Sequence, residues 1–566
     1  MKNAAYYLFL AALLFAPMAF GTVETWSYLA MEIMVAASAL LLFFSSPKNA
    51  FYKVPGALPL ILLNLFLVFQ IMPLPAGLVK FISPAAHEIY QSTSGLTGTP
   101  IWISLSIYPH ATIHELLRFS TYTLFFVTAV QFFADRSLLK KTIAVVAGFA
   151  AVLSLVAIIE FITESLGYPL PHNKIFWFRE LSHGGKPVGP YVNRNHYAGL
   201  MEMIFPLVLS LFLAYRPVMT KLPLKYKIVN FFNHKRVSQH VLYGASAILI
   251  ATSILLTLSR GGILSLALSM ILFSVLLIVK TGQRKAGYLT ALVVVVVIFL
   301  TGTSGWDAIF ARFENLPAKS ELMYNQRFQV WMDSINIIQD FPIVGTGVGT
   351  LETIYPKYRS IAGNEVLEHA HNDYLEFLAT GGILLAVLMG ACLWAVFYAS
   401  ASAFIKRRDW YAILLFSGCV TAAAAILLHS LVDFNMQIGA NGLYFFLVLA
   451  LAVSAANTRM RFGLGETYLK QSKFPNYIFG GSAALLLLMT IYLNGGALIA
   501  DGLLSKYKNT ALSPGTPEQK LREINRTAKT AAALDRFNAK YPHIIAKTAA
   551  LVPNQSEAKQ HYKKSL

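Results

Sequence analysis

The sequence predicts an all-α membrane protein that crosses the bilayer many times. Of its 566 residues, 56% are hydrophobic and only 13% are charged, whereas ordinary soluble domains carry about 25% charged residues. Apolar runs of about 17 to 25 residues, the length that spans a bilayer as a helix, recur along most of the chain. These observations exclude a large soluble core and favour a polytopic membrane protein.

Thirteen apolar runs each predict one transmembrane helix. The first has features of a signal peptide, with Lys2 before a short apolar core. Cys392 and Cys419 both fall inside predicted spans, which excludes a disulfide framework. The runs cover residues 4–20, 27–44, 57–73, 117–133, 141–162, 197–215, 240–258, 262–280, 286–302, 375–400, 410–430, 438–456 and 477–500.

The net charge of +19 is concentrated on one alternating set of loops. The basic residues after spans 2, 4, 6, 8, 10 and 12, together with Lys2, account for the whole excess. Only Asp135, Asp409 and Glu466 oppose them there. The positive-inside rule makes these loops cytoplasmic, so the N-terminus is predicted inside and the C-terminus outside. Nucleic acid is not needed to explain the charge.

The predicted topology divides the chain into two regions, because an odd number of spans places the C-terminal tail outside. Residues 1–500 form a transmembrane catalytic domain, in which 303–374 is the large outer loop between spans nine and ten. Residues 501–566 form a helical tail on the same, periplasmic side. The tail weakly resembles a tetratricopeptide helix pair, which would dock a periplasmic protein partner.

Five polar clusters lie on the predicted outer side. Arg260 lies in a tight turn between spans seven and eight, so it stays at the membrane surface or in a cavity. An ionisable group at that depth is a functional-site hypothesis; an arginine that reaches to lipid phosphates is the alternative. The clusters are GPYVNRNHYAG (189–199), LTLSRGG (256–262), NQRFQVWMDSINIIQDFPIVGTGVGT (325–350), LEHAHNDYLEFLATGG (367–382) and HSLVDFNMQIGAN (429–441).

Arg327 begins a predicted amphipathic helix. Its apolar residues recur at helical spacing and would pack on the bundle or lie on the bilayer. They are Phe328, Trp331, Ile335 and Ile338.

His369, His371 and Asp373 form an HxHxD pattern that resembles the start of a metallo-β-lactamase metal site. That site needs a further histidine where Tyr374 stands, and the sequence offers no evident third ligand. The sequence therefore predicts no metal site.

Taken together, the clusters resemble the O-antigen ligase and O-antigen polymerase superfamily of bacterial membrane glycosyltransferases. The resemblance covers about residues 185–445 and depends on NRNHYAG, SRGG, the helix from Arg327, FPIVGTGVG, HAHNDYLEFLATGG and HSLVDFNMQI. Ligases of this family carry an essential histidine followed by Asn, Ser or Gln, with a glycine about eleven residues later. His371, Asn372 and Gly382 fit this pattern. The family also has a small or polar residue three positions after that glycine, where this chain has Leu385.

The resemblance implies transfer of a glycan from undecaprenyl pyrophosphate to an acceptor sugar hydroxyl, in lipopolysaccharide or exopolysaccharide assembly. The enzyme would lie in the bacterial inner membrane, with a periplasmic active site and no metal or other cofactor. His371 would be the base, since a neutral histidine suits neutral pH. The family's two essential arginines correspond to Arg260 and Arg327, which would pair with the pyrophosphate. Further candidates for substrate binding are Asn193, Arg194, Asn195, His369, Asn372 and Asp433.

Several alternatives stay open. A ligase would use lipid A–core as acceptor, and a polymerase would use a second lipid-linked repeat. A pilin-directed oligosaccharyltransferase would use a serine or threonine. A flippase would move the lipid-linked glycan without chemistry, with Glu32 and Glu202 as coupling groups. The outer position of the histidine and arginine clusters argues against it, since transporter sites lie near mid-membrane.

The predicted topology is testable by cysteine labelling. In cells with a permeabilised outer membrane, an impermeant reagent should modify cysteines introduced near 320 and 540 but not near 230. The reverse pattern would overturn the topology and the outer placement of the polar clusters.

Overall fold

Helices make up almost all of the regular structure in the described part of the chain. The protein is represented by a computed structural model. It describes residues 1–46, 51–94, 101–166, 174–175, 179–180, 187–217, 237–281, 320–360, 366–459, 467–472, 476–507, 510, 512–513 and 515–551.

The first half of the chain is a series of helices that overlap the predicted apolar runs, apart from α4 and α5, which lie outside them. They are α1 (Lys2–Met18), α2 (Thr25–Ser45), α3 (Ala57–Ile71), α4 (Ala76–Ile82), α5 (Pro84–Ser94), α6 (Pro109–Phe133), α7 (Arg136–Ser165), α8 (Arg194–Ala214), α9 (Val237–Leu256) and α10 (Arg260–Thr281).

The second half contains the longest helix, α13, and ends in a pair of short polar helices. A 3-10 turn, Asn435–Gln437, precedes α15. The helices are α11 (Ser320–Asp340), α12 (Leu351–Tyr358), α13 (Asp373–Ile405), α14 (Trp410–His429), α15 (Gly439–Asn457), α16 (Asn476–Ser505), α17 (Glu518–Leu534) and α18 (Lys540–Leu551).

Extended structure in the described ranges includes two antiparallel pairs of two-residue strands. β1 (Leu74–Pro75) pairs with β2 (Trp102–Ile103), and β3 (Lys174–Ile175) pairs with β4 (Arg179–Glu180). Both pairs lie between helices and leave the all-helical architecture unchanged.

Ten helices of the described chain are long and apolar enough to cross a membrane, which confirms a multi-pass membrane protein. They are α2, α6, α7, α8, α9, α10, α13, α14, α15 and α16. The predicted spans at 4–20 and 57–73 coincide with α1 and α3, which have 17 and 15 residues. The predicted span at 286–302 lies outside the described residues, so the count of thirteen stays a prediction.

Helix α15 is the centre of the bundle, and every one of its residues is buried. It contacts α1, α6, α8, α13 and α14. Glycines allow close approach in this region: a Cβ on Gly442 would lie 2.4 Å from the hydroxyl of Tyr122, and one on Gly418 would lie 2.3 Å from that of Ser210. Small residues commonly permit such packing between membrane helices.

Helix α13 is interrupted at Gly382, whose φ is 63°. The loop after α11 lies in this break. The backbone N–H groups of Ile383 and Leu384 donate to the carbonyl oxygens of Pro342 and Ile343 at 2.9 and 3.2 Å. A Cβ on Gly382 would lie 2.3 Å from the Ile343 oxygen, so this position requires glycine. The break thus fixes the α11 loop to α13.

The face of α11 that packs into the protein is formed by Val330, Asp333, Ser334 and Ile337, which are all buried. Phe328, the first residue of the apolar stripe predicted from the sequence, is 53% exposed. The other stripe residues, Trp331, Ile335 and Ile338, are half-buried, so the stripe borders the packed face and only its first residue is exposed.

The described part of the tail is a helix pair, α17 and α18, packed on the end of α16. The pair is also held to the start of α6, where Nε2 of His110 lies 3.1 Å from Oδ1 of Asp535. The shared apolar cluster comprises Ala500, Leu504, Ala528, Ala531, Tyr541 and Ile545. The tetratricopeptide resemblance and the periplasmic placement stay predictions, and residues 552–566 lie outside the described residues.

Candidate active site

The polar clusters predicted from the sequence meet at one end of the bundle, around the connection between α14 and α15. We call residues 430–438 the α14–α15 loop. The backbone N–H of Asp373, at the start of α13, donates to the Ser430 oxygen at 3.0 Å. A Cβ on Gly261, at the start of α10, would lie 3.0 Å from Cγ2 of Val432. The loop therefore touches the first residues of both helices.

The carboxylate of Asp433 is the centre of this site, and its side chain is only 1% exposed. Oδ2 accepts a hydrogen bond from Nδ2 of Asn195 at 2.5 Å, and Oδ1 accepts one from the backbone N–H of Phe434 at 2.9 Å. Nδ1 of His371 and Nε2 of His196 lie 3.5 and 3.7 Å from Oδ1. These basic partners hold the pKa of Asp433 well below its ordinary value although burial raises it.

His371 lies two residues before α13, with its side chain 31% exposed. Its φ of 51° is a left-handed conformation that is uncommon for residues other than glycine. Nδ1 is buried and has no hydrogen-bond partner. At 3.5 Å the contact with Asp433 is longer than a hydrogen bond, but such contacts often shorten when substrate binds.

His369 has a different carboxylate partner. Its Nδ1 lies 2.8 Å from Oε1 of Glu376, whose Oε2 accepts a hydrogen bond from the backbone N–H of Ala370 at 2.9 Å. Burial lowers the pKa of His369, but the ion pair with Glu376 outweighs it, so the net shift is upward. His369 is therefore protonated over a wider pH range than an isolated histidine.

The ring of Phe434 separates the three imidazoles. It stacks on His369 with the ring centres 4.3 Å apart. It meets His196 and His371 edge to face at 4.6 and 4.9 Å. The aromatic ring thus separates His369, which faces Glu376, from His196 and His371, which both face Asp433.

Arg327 reaches the same loop from α11. Its Nη1 donates to the backbone oxygen of Val432 at 3.3 Å. One turn further along α11, Nε1 of Trp331 donates to the oxygen of Ala370 at 3.1 Å, in the segment that carries the two histidines. Helix α11 therefore joins the arginine, the histidine segment and the α14–α15 loop.

Arg260 is the first residue of α10 and is half-buried. The next residue, Gly261, lies against the imidazole of His429, because a Cβ there would be 2.8 Å from Nε2. His429 is itself fixed by Glu202, whose Oε1 lies 3.0 Å from its Nδ1. Glu202, which a transporter would use for coupling, here pairs with the histidine that supports the Arg260 turn.

A buried guanidinium holds the other end of the α14–α15 loop. Nη1 and Nη2 of Arg118 donate to the backbone oxygen and Oε1 of Gln437 at 3.0 and 2.6 Å. Arg118 also donates to Glu115 and to the hydroxyl of Tyr28. Helix α6 therefore fixes the segment that follows Asp433.

Two of the remaining candidates, Asn193 and Asn372, cap helices. Asn193 caps α8 by accepting from the N–H of Asn195 at 2.9 Å. Asn372 caps α13 by accepting from the N–H groups of Tyr374 and Leu375 at 3.0 and 3.1 Å. Arg194 is the first residue of α8 and is half-buried. The capping oxygens of the two asparagines are thus already engaged.

An apolar cavity of about 230 Å³ runs from this site into the bundle, between α3, α6, α13 and α15. Asp373, Ser430 and Met436 line the end that adjoins the α14–α15 loop. Its remaining wall is apolar and includes Leu60, Leu63, Phe119, Phe377, Met389 and Phe446.

The comparison with protein families agrees with this geometry. Residues 245–390 match the family model described as O-Antigen ligase. We call this matched segment, about a quarter of the chain, the O-antigen ligase domain. The match includes Arg260, Arg327, His369 and His371, and it ends before Asp433. No curated protein matches the chain.

The fold brings to this site several residues that the sequence analysis did not select and that lie outside the matched residues. His196 and Phe434 lie inside the quoted motifs, but only the fold shows that His196 adjoins Asp433 and that Phe434 packs against three imidazoles. Arg118 could have been found as an ionisable residue in a predicted span. Glu115 was missed because the predicted span began at 117, whereas α6 begins at Pro109.

The packing of the O-antigen ligase domain at Gly261 predicts a stability effect. In Gly261→Ala the new methyl group would overlap the His429 ring, and such overpacking costs about 1–3 kcal/mol. We expect a lower thermal unfolding midpoint in detergent. Gly481→Ala in α16 is the control, because a Cβ there meets nothing within 4 Å. An unchanged midpoint for Gly261→Ala would show that the turn is not tightly packed on His429.

Proposed function

We propose that this protein transfers a glycan from a polyprenyl pyrophosphate to the hydroxyl of an acceptor sugar. The donor is undecaprenyl pyrophosphate-linked glycan, and the reaction takes place at the periplasmic face of the inner membrane without a metal. The O-antigen ligase domain supports the class of enzyme. The donor, the acceptor and the roles of individual residues are our proposal.

One observation carries the proposal: an imidazole beside a buried carboxylate adjoins two arginine-bearing segments. Val432 is the common point, because Arg327 donates to its backbone oxygen and Gly261, next to Arg260, packs on its side chain. Asp433, which lies 3.5 Å from His371, is the next residue. A proton acceptor and cations for a departing pyrophosphate are therefore held by one short loop.

Each group has a step in the reaction. Asp433 orients His371 through Nδ1, so that Nε2 accepts the proton of the acceptor hydroxyl. The acceptor oxygen forms a bond to the anomeric carbon of the donor, and the bond from that carbon to the pyrophosphate oxygen breaks. Undecaprenyl pyrophosphate leaves with the negative charge, which Arg260 and Arg327 stabilise. His369, whose protonated form Glu376 favours, adds a further donor to the same anion.

The apolar cavity suits a lipid-linked donor. It meets the polar site at Asp373 and Ser430, so a prenyl chain in the cavity would present its pyrophosphate to the α14–α15 loop. Burial of hydrocarbon in such a cavity is favourable at about 25 cal/mol per Å² of apolar surface. A soluble nucleotide-sugar donor would leave this surface without an occupant.

The direct test is glycan transfer by the purified protein from lipid-linked donor, in EDTA, with one acceptor at a time. Lipid A–core, a second lipid-linked repeat and a serine-containing pilin peptide distinguish a ligase, a polymerase and a protein-directed transferase. We expect product and free undecaprenyl pyrophosphate in equal amounts with one of them. Movement of the donor across proteoliposomes without product would instead support a flippase, and activity restored only by metal would contradict the mechanism.

The base can be tested at His371. His371→Ala should lower the transfer rate by about 100- to 10,000-fold, the usual contribution of a positioned acid–base group, while donor binding stays near normal. Asp433→Asn should also lower the rate, since an amide cannot stabilise the imidazolium.

His369→Ala is the matched control in the same segment, and its loss should be much smaller. If His369 proved essential and His371 dispensable, the base would have been assigned to the wrong histidine. Full activity of the double alanine variant would contradict base catalysis altogether.

The arginines can be tested by conservative replacement. Arg260→Lys and Arg327→Lys should each lose most of the transfer rate, because an ammonium group cannot make the two-pronged contact of a guanidinium. Arg359→Lys, at the end of α12, is the control. Near-normal transfer by both lysine variants would reduce these arginines to structural or lipid-anchoring roles.

A further inference from the structure

A basic recess lies at the opposite end of the bundle from the candidate active site. Helix α13 starts at the site and ends at Ile405, and α14 starts at Trp410 and returns to the site. Between these ends lies an open recess of about 640 Å³. It is lined by Lys280, Ile405, Lys406, Arg407, Arg408, Trp410 and Ile413.

Two of the four cations in the recess are fixed by neutral acceptors. Nζ of Lys280 donates to the backbone oxygens of Phe404 and Ile405 at 3.0 and 2.8 Å. Nε of Arg407 donates to the oxygen of Ala456 at 2.7 Å. Since carbonyl oxygens carry no net charge, both positive charges persist in the recess.

The other two cations, Lys406 and Arg408, are exposed. Neither has an ion pair within the described residues. The neighbouring acid, Asp409, caps α14 by accepting from the N–H of Ala412 at 3.1 Å. The recess therefore presents more positive charge than its acids balance.

The rim of the recess is apolar. Ile405 is 74% exposed, and Trp410, an amphipathic side chain typical of the membrane interface, stands beside it. A soluble anion would leave these side chains in water, whereas an acyl chain would cover them. Charge at the centre and an apolar rim at helix ends fit a lipid rather than a free anion.

We propose that this recess binds the headgroup of an anionic phospholipid. The phosphate would contact Lys406 and Arg408, with Lys280 and Arg407 adding to the local positive potential, and an acyl chain would lie along Ile405. The site is separate from glycan transfer and does not depend on the function proposed above.

The test is native mass spectrometry of the purified full-length protein with phosphatidylglycerol and phosphatidylethanolamine of matched chains. The wild type should retain phosphatidylglycerol preferentially. The variant with Lys406→Gln and Arg408→Gln should lose roughly 25-fold in that preference, about fivefold for each charge removed at a membrane surface.

Two variants control for net charge and for folding. Lys2→Gln with Lys53→Gln removes two exposed charges outside the recess and should keep the preference. Lys406→Arg with Arg408→Lys conserves the charge and should keep it too. Equal retention of the two lipids by the wild type, or an unchanged preference in the glutamine variant, would overturn the proposal.

A third arm separates a lipid from a free anion. Millimolar inorganic phosphate should neither displace phosphatidylglycerol nor raise the thermal unfolding midpoint as that lipid does. Displacement by phosphate would show a soluble-anion site and contradict the assignment to a phospholipid.

Discussion

The buried carboxylate of Asp433 is the constraint on which the site depends. A buried charge that loses its partner costs about 3–5 kcal/mol, so this carboxylate must keep its donors and cations close. Those partners come from separate parts of the chain: Asn195 and His196 begin α8, and His371 precedes α13. The two helices are therefore brought to the end of α14, and the polar end of the bundle is organised around one side chain.

The break in α13 and the contacts of Arg118, in α6, hold that arrangement in place. Gly382 admits the loop after α11, which places α11 beside the histidine segment and lets Arg327 reach Val432. Arg118 holds Gln437 from the other side. The α14–α15 loop is thus fixed at both ends by contacts within the protein, as a preorganised site requires.

Local pattern predicted the helices but not the contacts between them. The run 375–400 correctly gave a helix, yet nothing in its periodicity shows the break at Gly382, because the loop that fills it comes from residues 342–347. The motifs predicted that His371, Arg260 and Arg327 lie at one end of the bundle, and in the structure the segments that carry them all adjoin Val432 and Asp433. His196 could not be selected in this way, because its partner Asp433 is distant in sequence. Glu376 shares a motif with many polar neighbours, so the sequence does not show that it pairs with His369.

The four histidines at this end of the bundle differ as candidates for the general base in their partners and in their exposure. His196 and His429 have side chains only 6% and 1% exposed, so substrate cannot reach them. His369 and His371 are 29% and 31% exposed, so accessibility does not separate them. Their carboxylate partners do separate them. Glu376 lies 2.8 Å from His369 and favours its cationic form, whereas Asp433 lies 3.5 Å from His371, a contact that can shorten. Since Glu376 favours the cationic form of His369, this geometry supports the proposal of His371 as the base and of His369 as a contact to the pyrophosphate.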